Sequence, residues 1–403
     1  MKVWIVNPFD NLPLEGNRPQ RYWLMSRAFA RAGHEVTFWT SDFSHAHKAP
    51  RVFPELSVAK FNGRDAGDGI WQADGFRLGL IPTLPYRRNI GPARILSHQL
   101  LARRWTARVA TEEVPDLVIA SSPPLGLCAA VRRYCAAHDI PFVVDVMDAW
   151  PETFARVVPA WLLKPLARVA RANYCAARAI SVVSTRYLDL VKAAGATAPT
   201  RLFYHGIVRT EGDESPVERS GRGPFTLVYV GNMGASYDLA TLIEVVRQNE
   251  DVALELAGAG PDEPRLRTLA QGCARIHFHG YLGEEPLRAL LARVDAAVVP
   301  MFPSSCVGVP YKLADYAAAG LPVLNALTGE TADLIRTYGA GETYTAGDAA
   351  SLAAALTVLR SRDLSAVRAG ASRLARLFDA TAVYGAYVSW IATLSVDAPR
   401  GLV

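Results

Sequence analysis

Residues 310–324 read PYKLADYAAAGLPVL, and this stretch decides the fold. It has the form of a short helix feeding an interior strand. Pro310 is suited to open the helix and Gly320 to stop it, while Pro322 stands at the start of the apolar run Val323-Leu324, where a strand tolerates proline. Lys312 and Asp315 are three residues apart and share one helix face. A cation and a carboxylate at the mouth of a parallel sheet match a nucleoside diphosphate: the cation meets phosphate and the carboxylate accepts from ribose hydroxyls.

Outward from there the chain alternates strand-like and helix-like segments. KVWIVN, EVTFWTS, LVIASS, PFVVDV and AISVVS are short, β-branched and apolar, with helical periodicity between several of them, as in RYWLMSRAFARAG closed by Gly33. The pattern restarts at Phe225 with FTLVYVG, VALELAG, IHFHG, AAVVP and PVLNA. Such alternation predicts an α/β protein built from two doubly wound, Rossmann-like domains with parallel sheets covered on both faces. The expected division is residues 1–208, a polar Gly- and Pro-rich linker over 209–224, a second domain over 225–380, and a final helix over 381–403 that packs back on the first domain. Ligands of such sheets bind at the carboxyl ends of the strands, which in a two-domain chain places the site in the cleft between domains.

Composition narrows the class. Of 403 residues, half are hydrophobic and 20% charged, ordinary for a globular protein with large cores. No run of about 18 apolar residues predicts a membrane span. The opening MKVWIVNPFD lacks the apolar core and cleavage site of a secretory signal, and the five cysteines are scattered without a C-x-x-C. A reducing cytoplasm is the expectation, with neither a disulfide frame nor a zinc cluster. The net charge of +5 is uneven: residues 1–200 carry +9 and the remainder −4, so the first half is expected to face an anionic partner.

Several motifs have the chemistry of a site. Gly231 and Gly234 in VYVGNMGASYDLATL form a strand–turn–helix that lets backbone approach an anion, although a tight turn without a ligand reads the same way. Gly258-Ala259-Gly260-Pro261 repeats the arrangement. Tyr281, after Gly280, is a candidate to face a nucleobase or else packs partly into the core. His277 and His279 alternate on one strand face, a pair more often structural than metal-binding. No Asp-x-Asp and no histidine cluster has ligand spacing, so no metal is expected. In the first half, Gly16, Asn17 and Arg18 form a polar loop before a helix, suited to phosphate or sugar. Asp145 and Asp148 in DVMDAWPE sit at a strand's carboxyl edge; Asp148 is either a cleft acid or base or the cap of the next helix. Residues 86–110 combine arginines, among them Arg103, Arg104 and Arg108, with Ile95, Leu96, Leu100 and Trp105. They read as a basic amphipathic helix facing an anionic membrane, or as a solvated face.

Together, GNMG at Gly231, Asn232, Met233 and Gly234, DAWPE at 148–152, the pattern from Pro310 to Val323 and the run from Arg31 to Lys48 resemble the GT-B glycosyltransferases. In particular they resemble glycosyltransferase family 4, of the bacterial surface-polysaccharide type, over nearly the whole chain. The resemblance implies a transferase that moves a sugar from a UDP- or GDP-linked donor on the second domain to a glycan or polyprenyl-diphosphate-linked acceptor on the first. It also implies retention of configuration, no cofactor and no nucleic-acid partner, and a place in the cytoplasm or on the inner face of the membrane. Gly231, Asn232, Gly234, Gly258, Tyr281, Gly308, Val309, Pro310, Lys312 and Asp315 then bind the donor, and Asp148 and Lys312 are the catalytic candidates. Asp315 takes the place of the second acid of the family's E-x7-E motif. Val307 stands where the first belongs, and Asn232 and Tyr237 stand near the places of a basic pair. The loop 303–310 would then supply N–H groups to the diphosphate. A nucleotide-sugar epimerase, a non-catalytic sugar-binding scaffold and a two-lobed binding protein share the architecture.

Overall fold

A computed structural model describes residues 1–51, 70–87, 91–155, 158–208 and 223–396. The chain divides into two compact units, one formed by 1–206 with 380–403 and the other by 207–379. The linker expected over 209–224 lies outside the described residues except at its last two positions.

In unit 1 the strands are β1 (Lys2–Val6), β2 (Glu35–Ser41), the short pair β3 (Phe43–Ser44) and β4 (Ala49–Pro50), β5 (Ile70–Ala73), β6 (Phe76–Ile81), β7 (Leu117–Ser122), β8 (Phe142–Val146), β9 (Ala179–Val182) and β10 (Thr200–Leu202). Eight of them form one sheet in the order β10-β9-β8-β7-β1-β2-β6-β5. All its pairs are parallel except the β5/β6 hairpin. That hairpin turns at Asp74-Gly75, both at positive φ, the signature of a tight two-residue turn. The helices are α1 (Arg21–Arg31), α2 (Pro92–Val109), α3 (Leu125–Ala137), α4 (Ala160–Cys175) and α5 (Thr185–Ala193). Parallel strands buried on both faces need continuous apolar sequence, and β1, β7 and β8 supply it: Val3, Ile5, Ile119 and Val143 are fully buried.

Two features lock this unit. Asp145, on β8, is wholly buried and receives Arg21 Nε and Nη2 at 2.8 Å each, Tyr22 Oη at 2.7 Å and Ser181 Oγ at 2.6 Å. The C-terminal helix packs on α1 through Tyr387, whose ring lies edge-on to Phe29 and 4.8 Å from Phe203. Tyr384 on the same helix accepts the Gly206 N–H at 3.1 Å.

Unit 2 has six parallel strands, β11 (Phe225–Val230), β12 (Val252–Ala257), β13 (Ile276–Gly280), β14 (Ala296–Val299), β15 (Val323–Asn325) and β16 (Gly341–Thr343), in the order β13-β12-β11-β14-β15-β16. Its helices are α6 (Leu239–Gln248), α7 (Glu263–Ala270), α8 (Glu284–Ala292), α9 (Tyr311–Ala318), α10 (Glu330–Tyr338), α11 (Ala349–Ser361) and α12 (Leu364–Ala375); the C-terminal helix of unit 1 is then α13 (Ala380–Val396). The strand order reverses between β11 and β14. In an open α/β sheet that reversal opens a crevice at the carboxyl ends, where ligands bind. The segment that decided the fold, α9 leading into β15, stands directly beside it.

Candidate functional site

Three strand ends of unit 2 are laced together. Gly231 N–H donates to Ala257 O at 2.9 Å, Met233 N–H to Ala259 O at 3.0 Å, and Gly258 N–H to Gly280 O at 2.6 Å. Gly231 and Gly258 have φ of +140° and +124°, which side chains avoid. A Cβ on Gly258 would overlap the Gly231 carbonyl, and one on Gly231 would approach Lys312 Nζ to 2.9 Å. These glycines therefore serve close backbone packing at the crevice floor. Gly234 continues the same turn, and Asn232 is exposed on its lip, its carbonyl accepting the Tyr229 hydroxyl at 2.5 Å.

Lys312 rises from the first turn of α9 into this floor and is only 9% exposed. Its Nζ lies 3.3 Å from Tyr229 Oη, over the ring of Tyr229 at 4.5 Å and of Tyr237 at 4.0 Å. Burial pulls its pKa from 10.5 down to about 7, against the opposing pull of Asp315 one turn along the helix. An ammonium so placed gains from any anion that enters. Gly308, Val309 and Pro310 are buried beside it. Gly308 O accepts Thr331 Oγ1 at 2.6 Å, whereas the N–H groups of Gly308 and Val309 find no acceptor among the described residues. The structure thus gathers Gly231, Gly234, Gly258 and Lys312 at one crevice, with the 308–310 segment against Lys312. Val307 leaves an apolar, half-buried side chain where an acid was expected.

Two expectations fare differently. Tyr281 is not core: it is 64% exposed, because it follows β13 at the sheet edge, two strands from β11. His277 and His279 do not act as a pair, since His277 is exposed and His279 bonds the Glu255 carboxylate. Among the described residues no group of three or more His, Cys, Asp or Glu is placed to hold a metal ion.

In unit 1, the loop Gly16-Asn17-Arg18 is built into the fold. Gly16 closes a 3-10 turn in the left-handed region, and buried Asn17 contacts Leu12 O and His47 Nε2 at 3.4 Å each. The start of α1 that the loop was expected to offer to phosphate is taken by the chain's own carboxylate: Asp10 accepts the Tyr22 and Trp23 N–H groups at 2.7 and 3.2 Å. Asp148 accepts the Ala149 N–H at 2.8 Å, and Thr153 Oγ1 and Trp150 Nε1 at 3.2 Å each. It thus ties its own turn together and does not cap the 3-10 turn Glu152–Phe154 that follows, whose start has no side-chain cap; burial raises its pKa.

The basic helix α2 also corrects its reading. Trp105 is buried against Trp4, with Leu101 and Val109 on the same side, while Ile95 and Leu96 are 61% and 55% exposed. The apolar residues thus split between the sheet side and solvent. Arg103 and Arg104 are exposed, but Arg108 pairs with Glu112 at 2.5 Å and lies over Trp39. Exposed apolar surface also appears on α4, where Trp161, Leu162 and Leu166 are 67%, 47% and 40% exposed beside exposed Lys164 and Arg168.

Sequence reasoning passed over a small pocket in unit 1, open to solvent and with room for about one water, at the carboxyl ends of β1, β2 and β6. Phe9, His45, Thr83, Tyr86 and His98 line it. The signal for it was in the run FSHAHK after β2, which places Phe43 and His45 just beyond a strand's carboxyl end.

Comparison with known proteins fits this geometry. The glycosyl transferase 4-like domain profile matches residues 20–205 and the glycosyl transferases group 1 profile residues 224–361. The chain belongs to the glycosyltransferases. Its fold is the GT-B fold. A sulfoquinovosyl transferase from Arabidopsis thaliana is 27% identical over 64% of this chain and 52% of its own length. The chain thus spans about half of that relative. Among solved structures, HepE from Anabaena in complex with UDP and glucose superposes with a TM-score of 0.65 at 16% identity, covering 98% of this chain and all of that one. WaaG, a glycosyltransferase involved in lipopolysaccharide biosynthesis, gives 0.64 at 14% identity over 97% and 99%. At such identities the structural likenesses speak for the fold.

Proposed function

We propose that this glycosyltransferase transfers a sugar, with retention of configuration, from a UDP- or GDP-linked donor to a glycan or lipid-linked acceptor in surface-polysaccharide assembly. The observation that carries the reading is Lys312, a buried ammonium in the switch-point crevice of unit 2 with its pKa pulled down to about 7. Leaving-group departure builds charge on the diphosphate, and donors already aimed at it lower the barrier without reorganising. Lys312 and the N–H groups of Gly308 and Val309 supply that charge stabilisation, so the reaction needs no divalent ion. Asp315 accepts from the donor ribose. The sugar C1–O bond to the diphosphate breaks, C1 bonds the acceptor oxygen, and the acceptor's proton passes to the departing diphosphate. The UDP-and-glucose complex of HepE supports the donor class, and the likeness to WaaG supports the acceptor class.

The apolar and basic N-terminal part of α4 supports a lipid-surface location for the acceptor, at the inner face of the membrane. Among the described residues no helix is long and apolar enough to cross a membrane, so attachment in this reading is peripheral. The test is calorimetric titration with UDP and GDP in excess chelator, followed by product analysis with the sugar-linked forms. Binding of one nucleotide and release of free nucleoside diphosphate is expected. Return of an intact, epimerised nucleotide sugar, or no binding, would overturn the proposal.

A further inference from the structure

Lys312 is a buried ammonium without a counter-ion, and two tyrosines hold it. Among the described residues its one hydrogen bond is to Tyr229 Oη at 3.3 Å, and no carboxylate pairs with it. The Tyr229 hydroxyl donates to Asn232 O at 2.5 Å, so what it offers Lys312 is a lone pair. The ammonium lies 4.5 Å from the centre of the Tyr229 ring and 4.0 Å from that of Tyr237, and the two rings meet edge-on at 5.6 Å. Gly231 leaves room for it, since a Cβ there would stand 2.9 Å from Nζ and 3.4 Å from Tyr229 Oη.

Both rings are fixed by the surrounding backbone. Tyr229 is fully buried on β11. Tyr237 bridges to Met301; on either side of it Ser236 O accepts the Phe302 N–H at 3.1 Å and the Asp238 N–H donates to Pro300 O at 2.6 Å. The ring is thereby tied to the chain just beyond β14. An ammonium has three donors, of which Tyr229 accepts one, while the ring faces attract the charge without desolvated hydrogen bonding of its other protons. A buried charge in that condition is costly until an anion joins it.

We propose that Tyr229 and Tyr237 are positioning residues of the donor site, a cage that keeps the Lys312 ammonium charged and in place until the donor's diphosphate completes its hydrogen bonds. The proposal rests on the transferase reading for the diphosphate and on the cage alone for the anion. Among the described residues Asp315 is the one charged group felt at Lys312, and it pulls against the burial that brings the ammonium down to about 7. Burial pushes Tyr229, Tyr237 and Tyr316 up, so all three are neutral phenols. Tyr316 Oη is engaged by the Val230 N–H at 2.8 Å, and Asp238 by the Thr241 and Gly347 N–H groups at 3.3 and 2.5 Å. An anion beside the ammonium favours its charged form, so above about pH 7 binding takes up a proton and weakens as pH rises. Removing the Tyr229 lone pair, or the Tyr237 ring face, makes free Lys312 lose its proton at lower pH. The affinity lost is then small where Lys312 is charged in both proteins and larger at higher pH.

The experiment is calorimetry of the full chain with UDP, GDP and inorganic diphosphate at pH 6 and pH 8.5. Each variant is read as a ratio to the wild type at the same pH, which cancels the ligand's own titration. Tyr229→Phe, which removes one hydroxyl, and Tyr237→Leu, which removes one ring, should bind about tenfold more weakly at pH 8.5 and within about twofold at pH 6, the size of one charge-assisted contact. Tyr237→Phe restores the ring and should recover the loss seen in Tyr237→Leu. Proton uptake at pH 8.5, read from heats in buffers of different ionisation enthalpy, should vanish in Lys312→Met. Tyr237→Leu, whose ring is only half-buried, is the variant to read if Tyr229→Phe melts early. A ratio equal at both pH values, which a merely structural role would give, or a loss that Tyr237→Phe does not recover, would overturn the cage. Binding of inorganic diphosphate with this pH pattern, and of neither nucleotide, would keep the cage and remove the donor reading. Binding of none of the three would overturn both.

Discussion

Replacing Lys312 with Met separates stability from function. The fall in the ammonium's pKa from 10.5 to about 7 corresponds, at 1.36 kcal/mol per pKa unit, to about 5 kcal/mol of desolvation cost. Two tyrosine rings, at 4.0 and 4.5 Å, return about 2 kcal/mol when the cation is dehydrated. The net cost of about 3 kcal/mol is large beside ordinary folding stability. Met fills similar volume without charge, so Lys312→Met should stabilise the ligand-free protein by about 2–3 kcal/mol at pH 6. The folded pKa lies below the unfolded one. The penalty is therefore complete below about pH 7, shrinks as pH rises from 7 to 10.5, and is absent above, so the advantage of Met should shrink over the same window. Urea denaturation of both proteins at pH 6 and pH 9.5 measures this, and thermal shift with UDP should show the variant no longer stabilised by nucleotide. A variant less stable than wild type at pH 6, or one still stabilised by UDP, would refute the reasoning.

Three further outcomes follow. Asp145→Asn leaves Arg21 buried without its counter-charge and should cost about 3–5 kcal/mol. Burial alone would raise the Asp145 pKa, but Arg21 holds it below 3.8, so the pair's contribution stands above that value and is lost as pH falls through the folded pKa; acid denaturation curves of the two proteins should converge there. Gly258→Ala puts a side chain at φ +124° against the Gly231 carbonyl, and should lower the melting temperature by several degrees and weaken UDP binding more than Tyr281→Ala does. Trp161→Ser with Leu162→Ser should reduce partition to anionic vesicles more than reversal of Arg103 and Arg104, with UDP affinity unchanged; equal partition of all variants would remove α4 from the membrane face.

Much of the fold was legible because parallel strands declare themselves as apolar runs, and the ten strands expected from those runs all form. The hairpin β5/β6 was passed over although Asp74-Gly75 marks it, because its strands mix arginine, glycine and glutamine with apolar residues. The crevice of unit 2 was legible at Gly231, Gly258 and Lys312, since glycine turns and a helix-borne cation leave local marks. Tyr229, which flanks the Lys312 ammonium together with Tyr237, was not read as part of it, because a tyrosine's partner is set by tertiary packing. The same holds for Arg94, which sits in a basic run and reads as solvated until Phe9, Tyr86 and Trp150 converge on it from three separate loops. The loop Gly16-Asn17-Arg18 had the composition of a phosphate loop, but Asp10, ten residues into the chain, takes the helix end first.

The most direct test of the account is product analysis with the wild type and Lys312→Met, given UDP- and GDP-linked sugars and an acceptor preparation. The account predicts free nucleoside diphosphate from one donor class, formed by the wild type and reduced by about 100-fold in the folded variant, the loss of a charge-assisted contact in a dry site. Equal release by both proteins, or recovery of the nucleotide sugar intact, would contradict it.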